Sequence, residues 1–224
     1  MRLAWLSPSV TQWRYNTVLI GLDFDNTIVC YDQAIALLAE ELFELPAEVP
    51  RTKLGLRNYL RAAAREPEWT AFQGELYGPG MRYAEPFDGA IDTMQQLLAE
   101  GHDLVIISHR SRRPYAGEPH DLHAAARGWV ADRLQSVGLF GSMGDKSAAN
   151  FLETRDEKVE MITHLGCEAF LDDLPEVLSA PGFPAAAAGI LFDPSREGQL
   201  PTKSNNDVIS AWCQLPQLIS VLAL

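Results

Sequence analysis

The chain has 224 residues, 18 Lys+Arg against 30 Asp+Glu, a formal net charge of −12, and 47% hydrophobic against 21% charged residues. That length suits one domain, or one domain with a smaller insertion, and the apolar share excludes general disorder. The negative balance excludes a nucleic-acid polymer or an anionic membrane surface as a general partner, but leaves room for a nucleotide or sugar phosphate held by local cations. Cys30, Cys167 and Cys213 are too few and too far apart for a disulfide framework or a metal cluster, no stretch has the length of a membrane span, and the first ten residues lack the apolar region of a signal peptide. The expectation is a soluble, cytoplasmic protein.

Residues 18–24 form the first of four short, nearly continuous apolar runs, the others being 104–108, 167–171 and 189–192. Continuous rather than alternating runs suit strands covered by helices on both faces. After the first run, residues 31–85 carry no strand pattern. Their spacing predicts helices over 33–44 and 54–65, a Pro-bounded turn at 46–50, and an aromatic, Gly-rich stretch over 69–83. A segment this long is too much for a plain crossover. It reads as a small helical insertion over the sheet edge, leaving residues 1–30 and 86–224 as the core. In the core, Ile91, Met94, Leu97 and Leu98 share a helical face before Gly101, and residues 120–137 form an Ala-rich helix. Residues 155–165 place Val159, Ile162 and Leu165 on one side before Gly166. Strand and helix alternate, which predicts an α/β fold with a doubly wound, mainly parallel sheet. Residues 207–224 read as an apolar helix interrupted at Pro216 and closing the core.

In such sheets, ligands bind outside the carboxyl ends of the strands. The first run ends in Asp23, Asp25 and Thr27, the second in Ser108 followed by His109 and Arg110, and the third in Asp172 and Asp173. Four carboxylates at one edge repel one another unless a cation neutralises them, and an all-oxygen set favours Mg²⁺, which in turn attracts phosphate. Within an extended chain Asp23 and Asp25 point the same way while Phe24 points into the core. One carboxylate can then attack a phosphorus while the other manages a proton.

The succession Asp23-x-Asp25-x-Thr27, then Ser108, then a Lys, then Asp172-Asp173 resembles the haloacid dehalogenase-like (HAD) hydrolase superfamily, over about residues 18–110 and 146–194. The resemblance implies a three-layer Rossmannoid core with a small helical cap in the C1-type position after the first strand. It implies Asp23 as phosphoryl acceptor, Asp25 as general acid–base and Ser108 as the hydroxyl holding the transferred group. Mg²⁺ would sit among Asp23, Asp25, Asp172 and Asp173, with Asp173 bound directly and Asp172 directly or through water. The charge-balancing lysine maps to Lys158, which opens the helix leading into the strand before the acid pair, in preference to Lys146 in the loop GSMGDKSAAN.

In the family as usually described, dehalogenases lack an acid at the Asp25 position and P-type ATPases carry Thr. Asp25 therefore implies cleavage of a phosphate ester, whose alcohol leaving group needs a proton. The implied activity is Mg-dependent hydrolysis of a phosphomonoester of a small metabolite through an aspartyl phosphate. A phosphomutase or phosphotransferase on the same core, and a non-catalytic binding scaffold, are the alternatives. Receiver domains carry their acid pair early in the chain, and a glycosyltransferase leaves Ser108 and the second acid pair unexplained. Thr27, His109 and Arg110 are candidate substrate contacts, Thr27 also shaping its turn. Arg112 and Arg113 extend the cationic run, and Trp69, Phe72, Tyr77 and Tyr83 either line a pocket or pack a lid.

Overall fold

The computed structural model describes residues 17–140, 149–196 and 206–223. Lys146 lies outside these residues. The elements run β1 (Leu19–Leu22), β2 (Val29–Cys30), α1 (Asp32–Leu42), α2 (Lys53–Ala62), α3 (Glu66–Tyr77), a 3-10 turn (Pro79–Tyr83), β3 (Glu85–Pro86), α4 (Ala90–Ala99) and β4 (Asp103–His109). They continue α5 (Leu122–Arg133), β5 (Ala149–Leu152), α6 (Arg155–Leu165), β6 (Ala169–Asp172), α7 (Pro175–Leu178), β7 (Ala188–Phe192), β8 (Asn206–Ile209) and α8 (Leu215–Leu222).

Six strands form one parallel sheet in the order β5-β4-β1-β6-β7-β8. The chain winds outward from β1 through β4 to β5, then returns to β6 on the other side of β1. The strand order reverses between β1 and β6, and the crevice at their carboxyl ends is where a doubly wound sheet takes its ligand. Alternate residues face opposite layers. Ile20, Leu22, Leu104, Ile106 and Leu171 enter one apolar cluster, while Val105, Ile107, Phe170 and Leu191 enter the other. The second cluster includes Val159 and Ile162 of α6, and the first includes Met94 and Leu97 of α4 and Ile219 of α8. Burial on both faces explains why the central strands read as continuous apolar runs.

Two edge strands, β5 and β8, escape the sequence pattern. Among the described residues each pairs on one side only, and β5 is buried at Phe151 alone. The C-terminal segment also differs from expectation. Its first residues are β8, and Pro216 lies in the first turn of α8 rather than interrupting a helix. Proline fits there because first-turn N–H groups have no partner within the helix.

Between β2 and β3, which pair antiparallel, the chain is helical. The aromatic stretch is itself a helix, α3, begun by Pro67 and the acidic Glu66 and Glu68 and burying Trp69, Phe72 and Leu76. Trp69 stacks on Phe72, so these two rings pack the insertion. The core grips the returning chain through Trp129 Nε1, which donates to the Ala84 carbonyl at 2.9 Å, and through Arg133, 2.7 Å from Glu85. No described helix is long and apolar enough to cross a membrane.

Gly21, in the strand that leads to Asp23, is a point of close approach. A Cβ there would lie 2.4 Å from Phe170 Cδ2 on the neighbouring strand. Overpacking of this kind costs about 1–3 kcal/mol. Gly21→Ala is expected to lower the unfolding free energy by that much, read as a lower urea midpoint at unchanged m-value, and an unchanged midpoint would mean that Phe170 moves aside freely.

Candidate active site

Local structure aims each group. After β1, Asp23 donates its backbone N–H to the Leu171 carbonyl, which keeps it in register with β6. Phe24 is fully buried, edge-on to Trp129 and Phe151. The turn that follows closes through Ile28 and Val29, whose N–H groups both donate to the Phe24 carbonyl. Asn26 takes the left-handed conformation in this turn, at φ 57°, which Asn tolerates better than most residues. Trp212 Nε1 anchors the turn by donating to the Thr27 carbonyl at 3.0 Å. Asp23 and Asp25 therefore flank a buried ring and line one cavity.

Lys158 sits in the first turns of α6, whose start is fixed by a reciprocal capping box between Thr154 and Glu157. Its ammonium is completely buried, 2.5 Å from Asp23 Oδ1 and 2.7 Å from Asp172 Oδ2. Burial works against the charge on Lys158, but Asp172 and Asp23 outweigh it, and its pKa is raised. One oxygen each of Asp23, Asp172 and Asp173 lie within 4.8 Å of one another. Burial, with the charge on Asp23 added, pushes Asp172 up to about 7. Burial followed by Asp23 and Asp172 pushes Asp173 up to about 8. Three carboxylates thus share one ammonium. Although Lys158 lies close, Asp172 Oδ2 has no aligned hydrogen-bond donor among the described residues. An all-oxygen set short of positive charge, with a buried unsatisfied acceptor, suits a hard divalent cation.

The other predicted residues are placed differently. Ser108, near the end of β4, is buried and faces the same cavity. The Thr27 hydroxyl is buried 3.4 Å from Asp23 Oδ2. Asp25 stands outside the triad of carboxylates: Tyr31 donates its phenolic O–H to Asp25 Oδ1, and Arg110 Nε lies 3.8 Å from Asp25 Oδ2. His109 lines the cavity half-buried, and burial, with Lys158 nearby, holds its imidazole below its ordinary pKa. Arg110 also borders the cavity, yet its guanidinium donates to the Tyr77 carbonyl at 3.2 Å. Arg112 turns to Asp121 and Arg113 to the Pro119 carbonyl, and neither lines the cavity.

The cavity encloses about 420 Å³ between the sheet edge and the insertion. Its walls include Lys53, Thr70, Gln73 and Tyr77, which sequence reasoning had not assigned apart from Tyr77. On α3, Thr70, Gln73, Gly74 and Tyr77 fall at i, i+3, i+4 and i+7, one helical face. That spacing was a usable signal once the stretch is read as a helix. Tyr31 had no such signal, since only the folded turn brings it to Asp25.

The raised acids carry a pH consequence. Their folded pKa values exceed the ordinary carboxylate value, so metal-free protein binds more protons folded than unfolded, and loses stability as pH rises through 7 to 8. The loss begins above the ordinary carboxylate range, at about pH 4, and runs to about pH 8. Each excess proton contributes roughly 1.4 kcal/mol per unit, so the slope at about pH 6.5 is up to about 2 kcal/mol per unit, and Asp173→Asn should reduce it. Mg²⁺ should raise the melting temperature more at pH 8.5 than at pH 6.5, because protons compete for the same oxygens. Thermal melts over this range, with and without Mg²⁺, test both statements.

No protein-family model matches the chain, and no curated protein matches it in sequence. Solved structures do match in shape. The chain is similar to the haloacid dehalogenase-like family protein SP0104 of Streptococcus pneumoniae, at 11% identity and TM-score 0.55, over 91% of this chain and 99% of that one. It is similar to YfnB of Bacillus subtilis, described as a HAD-hydrolase bound to magnesium, at 15% identity and TM-score 0.53, over 91% and 99%. A third likeness is to a predicted phosphoglycolate phosphatase from Haemophilus somnus, at 12% identity and TM-score 0.50, over 91% and 98%. With a six-stranded parallel sheet between helical layers and these likenesses along nearly its whole length, the chain has the fold of the HAD-superfamily hydrolases.

Proposed function

We propose that this protein is a Mg²⁺-dependent phosphatase that hydrolyses a phosphomonoester of a small metabolite through an aspartyl phosphate. The observation that carries the reading is Asp23 at the cavity floor. It is buried, held by Lys158, and joined there by Ser108, Asp25 and Asp173, with Asp172 paired to the same ammonium. Residues 31–85 serve as the cap, and residues 1–30 and 86–224 as the catalytic core. The cavity shared by the two parts supports that division, as does the interdomain movement described for the Bacillus subtilis chain.

Asp23 attacks phosphorus, and the ester P–O bond breaks as the new bond to Asp23 forms. Asp25 gives its proton to the leaving oxygen. It then takes a proton from the water that attacks the same phosphorus, which frees Asp23 and releases inorganic phosphate. The Lys158 ammonium and the Ser108 hydroxyl stabilise charge on the phosphoryl oxygens without needing to reorganise. Mg²⁺, held by Asp23, Asp172 and Asp173, would neutralise the crowded acids and polarise a phosphoryl oxygen. The helical segment over the cavity excludes bulk water while the ester bond breaks. Asp25 favours ester cleavage over the dehalogenation associated with other chains of this fold, because a halide leaves without a proton.

Acid-quenched intact-protein mass spectrometry during turnover of p-nitrophenyl phosphate tests the mechanism. The wild type should show a phosphate adduct. Asp23→Asn should lose it, and turnover should fall by roughly 10³-fold or more at unchanged fold. Phosphate release by Asp23→Asn at the wild-type rate would remove the covalent route.

Asp25→Asn should separate two leaving groups. Loss on phenyl phosphate, whose phenol has an ordinary pKa of about 10, should exceed the loss on p-nitrophenyl phosphate by at least about tenfold. The adduct should accumulate with the activated ester. Equal losses on both esters would show that Asp25 does no proton transfer to the leaving group.

A further inference from the structure

We infer that Tyr31 and Arg110 are positioning residues for Asp25, and that they tie its carboxylate to the helical segment above the cavity. This rests on the phosphatase reading and deepens it at one residue.

The carboxylates of Asp23 and Asp25 are two residues apart and face one cavity, yet they have different neighbours. Lys158 serves Asp23, while Asp25 meets only the Tyr31 hydroxyl and the Arg110 guanidinium at hydrogen-bonding or ion-pairing range among the described residues. Tyr31 is the N-cap residue of α1, immediately after the ribbon strand β2. Its phenol is buried, and burial together with the Asp25 charge pushes its pKa well above the ordinary value, so it remains a proton donor. Its ring packs edge-on against Tyr77 at 5.2 Å.

Arg110 approaches from the core side, and its contacts show what it does. Its side chain is almost fully buried. One terminal nitrogen donates to the Tyr77 carbonyl at 3.2 Å, the other contacts Met81 Sδ at 3.7 Å, and the head lies over the rings of Phe24 and Tyr77. Tyr77 and Met81 both belong to the helical segment between β2 and β3. The backbone behind Arg110 is fixed as well, because its carbonyl lies 2.8 Å from His123 Nε2. Arg110 Nε has no aligned acceptor, and Asp25 Oδ2 is the carboxylate oxygen nearest to it in the ion pairs formed. The guanidinium is thus committed to the segment and to Asp25 rather than directed at a substrate.

The consequence is mechanical. With its two anchors on the insertion or bound to it, Asp25 has a defined orientation only while that segment is seated on the sheet edge. The acid is then set when the cavity is closed, and water entering an open cavity meets a carboxylate without its anchors. Loss of one anchor should blur the orientation of Asp25 and leave Asp23, Lys158 and the acid triad in place.

Tyr31→Phe is the direct test because it removes one oxygen and keeps the ring packed on Tyr77. Pre-steady-state release of the phenol from phenyl and p-nitrophenyl phosphates should be measured with Mg²⁺ for wild type and variant. The expected result is a loss of about tenfold or more on phenyl phosphate and a several-fold smaller loss on p-nitrophenyl phosphate. KM should change little for either ester. Arg110→Lys should show the same selective loss, and it serves as the second arm should Tyr31→Phe fold poorly. Equal losses on both esters, or a lower melting temperature with an unchanged ratio of the two rates, would make the cluster merely structural and overturn the inference. A wild type that forms no Asp23-dependent phosphate adduct would instead overturn the phosphatase reading, and the inference with it.

Discussion

A fully buried ammonium lies between two carboxylates where β1 and β6 run side by side, and the site is organised around it. Lys158 contacts Asp23 and Asp172 at once, from a helix that packs over β4 and β5 on the Phe170 side of the sheet. Burying an ammonium or a carboxylate alone costs several kcal/mol, and mutual attraction repays this only with close geometry. The capping box that starts α6, the parallel register of β1 with β6, and the ring of Phe170 under the ammonium supply that geometry. One positive charge still faces three negative ones. Burial, with this deficit added, raises Asp172 and Asp173 and leaves the crevice suited to a divalent cation.

Topology explains why these groups meet at all. Asp23 and Asp172 are far apart in sequence, but the reversal of strand order makes their strands neighbours. Ser108 ends the adjacent strand on the other side of β1. The floor of the cavity is therefore built from rigid strand ends, with side chains whose backbones are held in the ladder. The roof comes from a single excursion of chain that leaves and re-enters through the β2–β3 ribbon. Such a two-point attachment lets the roof be selective in shape while the floor keeps its geometry.

Asp23 and Asp25 show how environment separates two identical side chains. The first is buried beside an ammonium, and the second lies between a phenol of the insertion and a core guanidinium bonded to the insertion. A nucleophile needs a fixed, charge-compensated position. A group that both gives and receives a proton needs access to the leaving oxygen and to water, with an orientation that depends on closure. Phe24, fully buried between them, separates the two side chains, and the left-handed turn at Asn26 follows both.

Much of this was legible in the residues themselves. Continuous apolar runs ending in Asp23, Ser108 and Asp172 disclose central parallel strands and the acids at their ends, because strands buried on both faces need apolar side chains throughout. The edge strands β5 and β8 were not legible, since a strand paired on one side carries no such run. Nor was α3, where Gly74 sits in mid-helix and a neighbouring loop approaches closely, a Cβ there lying 2.8 Å from Pro114 Cβ and 3.1 Å from the Ala116 carbonyl oxygen. Sequence by itself determined the order and identity of the acids, the serine and the lysine, and through them the chemistry that we propose. Tertiary structure alone decided which oxygens share Lys158, that Arg110 turns toward Tyr77 and Asp25, and that Tyr31 reaches Asp25. Those pairings depend on where separate strands and the returning insertion converge in space, and local sequence pattern carries no information about that convergence.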